Sequence, residues 1–188
     1  MTNPDPRPMI LRALEQNQQL IDSIQPGDLG LPTPCTEYDV RTLLGHLLAV
    51  LDRVDLALNG GNPLELPSIT TTDDVTGTWK ERRAKLEATL ADDDVLTRSC
   101  TVPWGTVPGA VAVAGYTGEL TVHSWDLAKA IGKIDQLDDE LATYLLPLVQ
   151  RAIPAEPRGG HMPFGPVVPV ADDASPYDRL VAWEGRQP

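Results

Sequence analysis

The fold of this chain is decided by residues 36–61, which read TEYDVRTLLGHLLAVLDRVDLALNGG. The apolar residues of this stretch recur at the spacing of an amphipathic helix. They are Val40, Leu43, Leu44, Leu47, Leu48, Leu51, Val54 and Leu58. Thr36 suits the N-cap of this helix, and Asn59-Gly60-Gly61 suits its end. We therefore predict a long helix over residues 36–58 with a strongly apolar face.

Proline positions indicate where further long helices can form, because a proline inside a helix costs roughly 3 kcal/mol. The stretches 35–62, 68–102 and 109–146 contain no proline. Together with start and stop signals, this predicts helices over residues 8–24, 73–91, 108–131 and 138–152. Such a chain is all-α, and we predict a four-helix bundle. One long crossover of the bundle should contain a short hairpin over residues 95–107.

The C-terminal residues 154–188 are rich in proline and glycine at their start and predict an extended tail packed on the bundle. Ser175-Pro176 reads as an N-cap followed by a first helical position, so a short helix should close the tail at about Glu184. The length of the whole chain, residues 1–188, is that of a single domain.

Composition and charge exclude several classes of protein. The chain has 27 acidic and 15 basic residues and a net charge of −12. This charge repels phosphates and anionic lipids, so we expect no nucleic-acid or membrane partner. No apolar run approaches the ~20 residues that span a bilayer, and the N-terminus lacks a signal core, so we expect a cytoplasmic protein. Two cysteines, Cys35 and Cys100, are too few for a disulfide scaffold, although a disulfide between them stays open.

A polar seam runs along the predicted helix 108–131. Its members are spaced by alternating steps of four and three residues, as in a row that faces neighbouring helices. They are Ala112, Tyr116, Glu119, His123, Asp126 and Ala130. Glu119 and His123 are four residues apart and can reach one point beside the helix. A carboxylate turned into a bundle needs a partner cation or a metal, because burying it alone is costly.

His46, at the edge of the apolar face of helix 36–58, can complete a set of two histidines and one glutamate. With a water as fourth ligand, such a set is typical of a catalytic rather than a structural zinc site. The alternatives are a core His46 and a plain Glu119–His123 ion pair. Asp126 fits a fourth ligand, an acceptor that holds a ligand imidazole, or a surface aspartate.

Three further side chains have ordinary interpretations beside functional ones. His161 follows two glycines in the tail and reads as a solvated loop histidine. Cys35 precedes helix 36–58, whose dipole could lower a thiol pKa, but a buried inert thiol is the simpler interpretation. Cys100 shows only strand-like packing.

Several segments resemble one known family. TPCTEYDV (33–40) followed by LLGHL (43–47) is similar to the start of the metal-binding second helix of the DinB-like superfamily. The similarity is greatest to the branch related to the N-terminal domain of mycothiol-dependent maleylpyruvate isomerase. GELTVHSWDLA (118–128) resembles the second metal segment of that branch. The tail segments FGPVVPV (164–170), DRL (178–180) and GRQP (185–188) resemble its single-domain members.

The resemblance implies a bundle that holds a divalent metal, usually zinc, through His46, Glu119 and His123. Nickel and iron suit the same donors. It also implies a low-molecular-weight thiol of the mycothiol type as cosubstrate. The isomerase carries a further C-terminal domain for which this chain has no room, so we do not expect maleylpyruvate isomerisation itself.

Two functions from different classes follow from the sequence. The first is a metal-dependent thiol transferase or isomerase that acts on a small electrophile, with a small-molecule substrate and a monomeric or homodimeric state. The second is a non-catalytic protein that binds a metal or a small ligand. The fourth position of the metal distinguishes them, because an accessible position favours an enzyme and a fourth protein ligand favours a structural ion.

Overall fold

The computed structural model describes residues 5–158 and 164–188. Most of these residues lie in helices. The structure is 62% helical and confirms the predicted all-α fold. The helices are α1 (Arg7–Ser23), α2 (Val40–Leu58), α3 (Val75–Leu90), α4 (Gly109–Ala130), α5 (Asp139–Ala152) and α6 (Pro176–Trp183). Strands β1 (Ser99–Val102) and β2 (Gly105–Pro108) form the predicted hairpin between α3 and α4, antiparallel with Val102 opposite Gly105.

Helices α1 to α4 form the bundle. Both α1 and α2 pack against α4 on one side and α3 on the other, so the four helices close a ring. Their shared core is aliphatic and includes the large side chain of Trp79. A second, smaller cluster joins α4 to α5 and α6 around Trp125. Because α4 belongs to both clusters, every residue from Tyr116 to Ala128 except Glu119 is buried.

The start of α2 differs from the prediction. Its N-cap is Asp39, whose carboxylate accepts the backbone N–H of Thr42 at 2.8 Å, and Thr36 lies outside the helix. A turn precedes the helix, in which the Tyr38 N–H donates to the Cys35 carbonyl oxygen. The Val40 N–H donates to the carbonyl oxygen of Leu31. The segment before α2 is therefore held by backbone hydrogen bonds to the preceding loop, which leaves the capping role to Asp39.

The tail ends in the short helix that the sequence predicts. The hydroxyl of Ser175 accepts the backbone N–H of Asp178 at 3.0 Å, as expected of an N-cap. Among the described residues, no helix combines the length and apolarity needed to cross a membrane. The assignment of residues 1–188 to one domain stays a prediction.

Candidate metal centre

The structure brings His46, Glu119 and His123 together between α2 and α4. One ligand atom from each of the three residues lies within 4.8 Å of those of the other two. One oxygen of Glu119, Oε1, lies 3.1 Å from Nε2 of His46 and 3.6 Å from Nε2 of His123. The predicted ligand set thus converges on one locus, with two members four residues apart on α4 and the third on α2.

The second nitrogen of each imidazole is held by an acceptor. Nδ1 of His46 lies 3.0 Å from the carbonyl oxygen of Ser68, and Nδ1 of His123 lies 2.9 Å from a carboxylate oxygen of Asp126. A carbonyl and an ionised carboxylate can only accept, so each Nδ1 carries the hydrogen. Each Nε2 then turns toward the convergence point. Outer acceptors of this kind fix the tautomer and orientation of metal-binding histidines.

The convergence of these groups requires a positive charge among them. Two imidazole lone pairs and a carboxylate meet at one locus, and acceptors without a proton or cation between them repel one another. Burial works to lower the pKa of His123, but its bonds to Asp126 and Glu119 outweigh burial and raise it to about 9. Burial works to raise the pKa of Glu119, but His123 and His46 hold it well below its usual range. Two imidazoles and one carboxylate are donors that suit a divalent ion.

Glycine at position 45 lets the crossover segment approach α2. A Cβ placed on Gly45 would lie 2.5 Å from the carbonyl oxygen of Thr70, and the Thr70 N–H binds the Gly45 carbonyl at 2.9 Å. This close contact positions the neighbouring Ser68 carbonyl over His46. The missing side chain is therefore part of what orients the imidazole.

Asp126 is completely buried and is shared between His123 and the C-terminal tail. Arg186 donates from Nε and Nη2 to its two oxygens at 2.9 and 3.0 Å. Burial works to raise the pKa of Asp126, and the bonds from His123 and Arg186 lower it below its ordinary value. Of the three roles considered for Asp126, its burial excludes a surface aspartate, and its bond to Nδ1 of His123 matches an acceptor behind that imidazole.

The chain reverses after α6 so that Arg186 can reach Asp126. Gly185 adopts a φ of +90°, and the Arg186 N–H returns to the Val181 carbonyl at 2.9 Å, as in a Schellman ending. A Cβ at Gly185 would lie 2.8 Å from Gly165. Both the backbone angle and the close approach require glycine at this position.

The centre is open on the side of Glu119. Its side chain is 43% exposed, while those of both histidines are 10% exposed. Desolvation is nevertheless the largest single influence on the Glu119 carboxylate. Protein therefore surrounds the Glu119 carboxylate while part of its side chain stays in contact with solvent.

A family model described as the mycothiol maleylpyruvate isomerase N-terminal domain matches residues 10–128. The chain belongs to this family. The matched residues contain His46, Glu119 and His123, whereas α6 and Arg186 lie beyond them. The resemblance stated from the sequence is therefore confirmed.

Curated relatives and solved structures agree with this assignment. Two proteins of Mycobacterium tuberculosis, from strains CDC 1551 / Oshkosh and ATCC 25618 / H37Rv and both described as uncharacterized, are 29% identical over 182 residues. The match covers 97% of this chain and 98% of each relative. A crystal structure of the mycothiol-dependent maleylpyruvate isomerase is similar with a TM-score of 0.62 and 12% identity, over 80% of this chain and 70% of that one.

A crystal structure of a histidine-to-alanine mutant of that isomerase is also similar. The TM-score is 0.55 at 10% identity, over 68% of this chain and 61% of the mutant chain. At such identities the solved structures establish the fold of this family member and not its chemistry. The chain spans less than two thirds of the length of the mutant structure.

Two site residues of this family member escaped the sequence analysis, namely Glu184 and Arg186. The side chain of Glu184 is 9% exposed, with a carboxylate oxygen 3.3 Å from Nη1 of Arg186, and burial raises its pKa to about 7. The available signal was a lone arginine placed directly after a helix-ending glycine in GRQP. The partner Asp126 lies 60 residues earlier, so no local pattern joins the two.

Neither cysteine belongs to the three-donor cluster. Cys35 and Cys100 are free thiols, so they form no disulfide with each other. Cys35 lies five residues before α2 begins. Burial, followed by the negative charge of Asp126, raises the pKa of its thiol, while the positive charge of Arg186 opposes this rise, so Cys35 borders the charged network as a neutral thiol. Cys100 is fully buried on β1. His161 lies outside the described residues.

Proposed function

We propose that this protein is a metal-dependent thiol transferase or isomerase that uses a low-molecular-weight thiol of the mycothiol type. Its substrate is a small organic electrophile. His46, Glu119 and His123 hold the ion, which is zinc in the first instance, and nickel and iron suit the same donors. Membership of a family named for a mycothiol-dependent isomerase supports the choice of thiol.

The accessible three-donor centre carries this proposal. Among the described residues, the cluster with metal-binding geometry consists of three side chains, and its carboxylate side is open. Three protein ligands and an accessible fourth position are typical of catalytic zinc sites, whereas structural sites use four protein ligands. The aliphatic bundle core supplies its own stability, so the ion is not needed to replace a missing core.

Some residues of the centre would hold the ion, and others orient the residues that hold it. The bound ion supplies a positive charge that lowers the pKa of a coordinated thiol. Ser68 and Asp126 keep both imidazoles in the tautomer that turns Nε2 toward the ion. In a transfer, the thiol gives up its proton and its sulfur bonds to one carbon of a conjugated C=C bond, while the π electrons move to the other carbon, which takes up a proton. In an isomerisation, rotation about the resulting single bond precedes cleavage of the S–C bond, which restores the C=C bond and releases the thiolate to regain its proton.

The test combines metal content, folding and turnover. Protein loaded with zinc is incubated with a panel of low-molecular-weight thiols, mycothiol among them, and small conjugated electrophiles. We expect thiol consumption that depends on the metal and disappears in His123→Ala. Substitution of the exposed Lys80 by alanine is the control, with unchanged metal content and rate.

The folding of His123→Ala decides between catalytic and structural metal. The variant should lose the ion and keep a cooperative thermal transition, because the bundle core does not involve His123. Complete unfolding would mean that the ion is structural and would remove the main support for an enzyme. A folded variant, together with no turnover of any thiol by the wild type, would favour a ligand-binding protein instead.

A further inference from the structure

Residues 66–70 cross the surface of α2 as an extended segment that belongs to no helix or strand. The carbonyls of residues 66, 68 and 70 all face α2, which is the alternation expected of extended backbone. Their neighbours on α2 are, in the same order, Nη2 of Arg53 at 3.0 Å, Nδ1 of His46 at 3.0 Å and the backbone of Gly45. The segment therefore runs antiparallel to α2, and its middle carbonyl, that of Ser68, is the one that orients His46.

Burial does little to hold this segment in place. Pro67, Ser68 and Ile69 are all exposed, and Leu66 and Thr70 are only partly buried. Segments with few buried apolar contacts open most readily. The position of the Ser68 carbonyl therefore depends on the polar bonds at the two ends of the segment.

Polar bonds hold the segment two residues before and two residues after Ser68. Before it, the Leu66 carbonyl accepts the bond from Arg53. After it, the Thr70 N–H donates to the Gly45 carbonyl at 2.9 Å. The hydroxyl oxygen of Thr70 also accepts a bond from Nη1 of Arg82 at 3.1 Å. Arg82 lies on α3, so a helix that supplies none of the three donors of the centre holds the segment beside His46.

Arg82 is itself fixed by a second partner. Its Nη1 lies 3.1 Å from a carboxylate oxygen of Asp52 on α2, and its side chain is 20% exposed. A guanidinium offers several N–H donors in one rigid plane, so it can bind a carboxylate and a hydroxyl at the same time. Arg82 thus connects α3, α2 and residue 70 of the segment.

We propose that Arg82 is a positioning residue of the metal centre: by holding Thr70, it fixes the extended segment so that the Ser68 carbonyl keeps Nε2 of His46 turned toward the ion. This inference rests on the metal-binding part of the proposed function. It goes beyond that function, because Arg82 acts from α3 through a backbone carbonyl and touches neither the ion nor its ligands.

The first test measures zinc affinity by chelator competition on the whole chain. Arg82→Met should weaken zinc binding about three- to tenfold. Loss of an acceptor behind a ligand imidazole costs about 10- to 100-fold, and here the acceptor is loosened rather than removed. Arg83→Met is the matched control, because the adjacent arginine on α3 pairs with Glu15 and Glu87 instead of the segment. It should leave the zinc affinity unchanged, and an equal loss in both variants would overturn the proposal.

Thr70→Val is a conservative variant that keeps the size of the side chain and removes only the hydroxyl. It should weaken zinc binding about threefold, as expected for the loss of one hydrogen bond. The double variant Arg82→Met/Thr70→Val should bind zinc as tightly as Arg82→Met alone, because both changes remove the same bond. Effects that multiply would show that Arg82 does not act through Thr70 and would overturn the proposal.

Nitrogen-15 NMR of the imidazoles separates positioning from a general loss of stability. In Arg82→Met, the hydrogen on Nδ1 of His46 should exchange with water about tenfold faster than in the wild type, because its bond to Ser68 opens more often. The hydrogen on Nδ1 of His123 is held by Asp126 and should exchange at the wild-type rate. Equal acceleration at both imidazoles would mean that the whole centre loosens, which would overturn a role specific to His46.

The outcome is distinguishable from that of the proposed function. A zinc-binding protein that turns over no thiol but shows these effects in Arg82→Met and Thr70→Val would keep the positioning role and remove the enzyme. Thiol turnover by the wild type, together with unchanged zinc affinity and unchanged His46 exchange in both variants, would keep the enzyme and remove the positioning role.

Discussion

The two imidazoles of the centre are held in opposite ways. His46 is oriented by the neutral backbone carbonyl of Ser68, which the crossover delivers against Gly45. His123 is oriented by a charged and fully buried carboxylate, Asp126, which the C-terminal Arg186 binds in turn. In both imidazoles, Nε2 is the nitrogen that turns toward the point where the three side chains converge.

This difference indicates which changes each side tolerates. The His46 side contains no ionisable partner behind the ring, so it depends on close backbone packing. The His123 side depends on a buried charge network, in which removal of one member leaves the others uncompensated. The two sides should therefore respond to different substitutions, and the charged side should also respond to pH.

The largest effect is expected for Asp126→Asn. This change keeps the shape of the side chain and removes the charge that holds Nδ1 of His123 and neutralises Arg186. We expect metal affinity to fall about 10- to 100-fold, as for other acceptors behind metal-binding histidines. Arg186 then keeps only Glu184 as an acidic partner, and this loss of a buried ion pair should lower the free energy of unfolding by about 3 kcal/mol.

Chelator competition measures the affinity, and chemical denaturation measures the stability. Asp135→Asn, at an exposed aspartate, is the matched control and should leave both unchanged. Equal metal affinity in Asp126→Asn and the wild type would show that the charged network does not support the His123 side.

An intermediate effect is expected for Gly45→Ala, which tests the backbone-held side. The new Cβ must displace the carbonyl of Thr70, because 2.5 Å is shorter than any real contact of this kind. Overpacking should cost about 1–3 kcal/mol of unfolding free energy and should weaken metal binding by moving Ser68. Circular dichroism during thermal unfolding and chelator competition measure the two effects.

Gly118→Ala provides the same substitution without the clash. A Cβ on Gly118 would meet its nearest neighbour, Leu145, at 3.9 Å, which is ordinary contact. Because alanine is the better helix former, this control should be stabilised by roughly 0.5–1 kcal/mol. If both variants shifted stability in the same direction, close approach of the crossover would not explain the need for Gly45.

The smallest effect concerns pH and Glu184, which borders the charged side. Burial raises its pKa in the folded chain to about 7, above its value of roughly 4.3 in unfolded peptides. Between these values the folded state binds more protons than the unfolded state, so the free energy of unfolding falls as pH rises through this window. The free energy of unfolding of Glu184→Gln relative to that of the wild type should therefore be greater at pH 8 than at pH 5.

The expected gain is about 1 kcal/mol, because rearrangement around the carboxylate reduces the ceiling of roughly 3 kcal/mol set by the shift. Urea denaturation of chelator-treated protein at the two pH values measures it. Glu81→Gln, at an exposed position on α3, should show no such pH dependence. A stability difference that is the same at both pH values would contradict the assignment of the titration to Glu184.

The sequence by itself determined the helices and the local part of the centre. Helical spacing of apolar residues placed α2, and the four-residue step from Glu119 to His123 placed two donors on one face of α4. These inferences succeed because the geometry of a helix makes residues three and four apart neighbours. The predicted N-cap of α2, Thr36, was wrong, because hydrogen bonds within residues 31–40 hold the chain outside the helix up to Asp39. Local spacing does not reveal such bonds to the preceding loop.

Only the tertiary structure decided how the centre is completed. Ser68 lies 22 residues from His46 in the chain, Arg186 lies 60 residues from Asp126, and His46 lies 73 residues from Glu119. No periodicity connects such positions, because their contact depends on how helices and loops pack. The sequence therefore determined which donors exist, and packing determined which acceptors orient them.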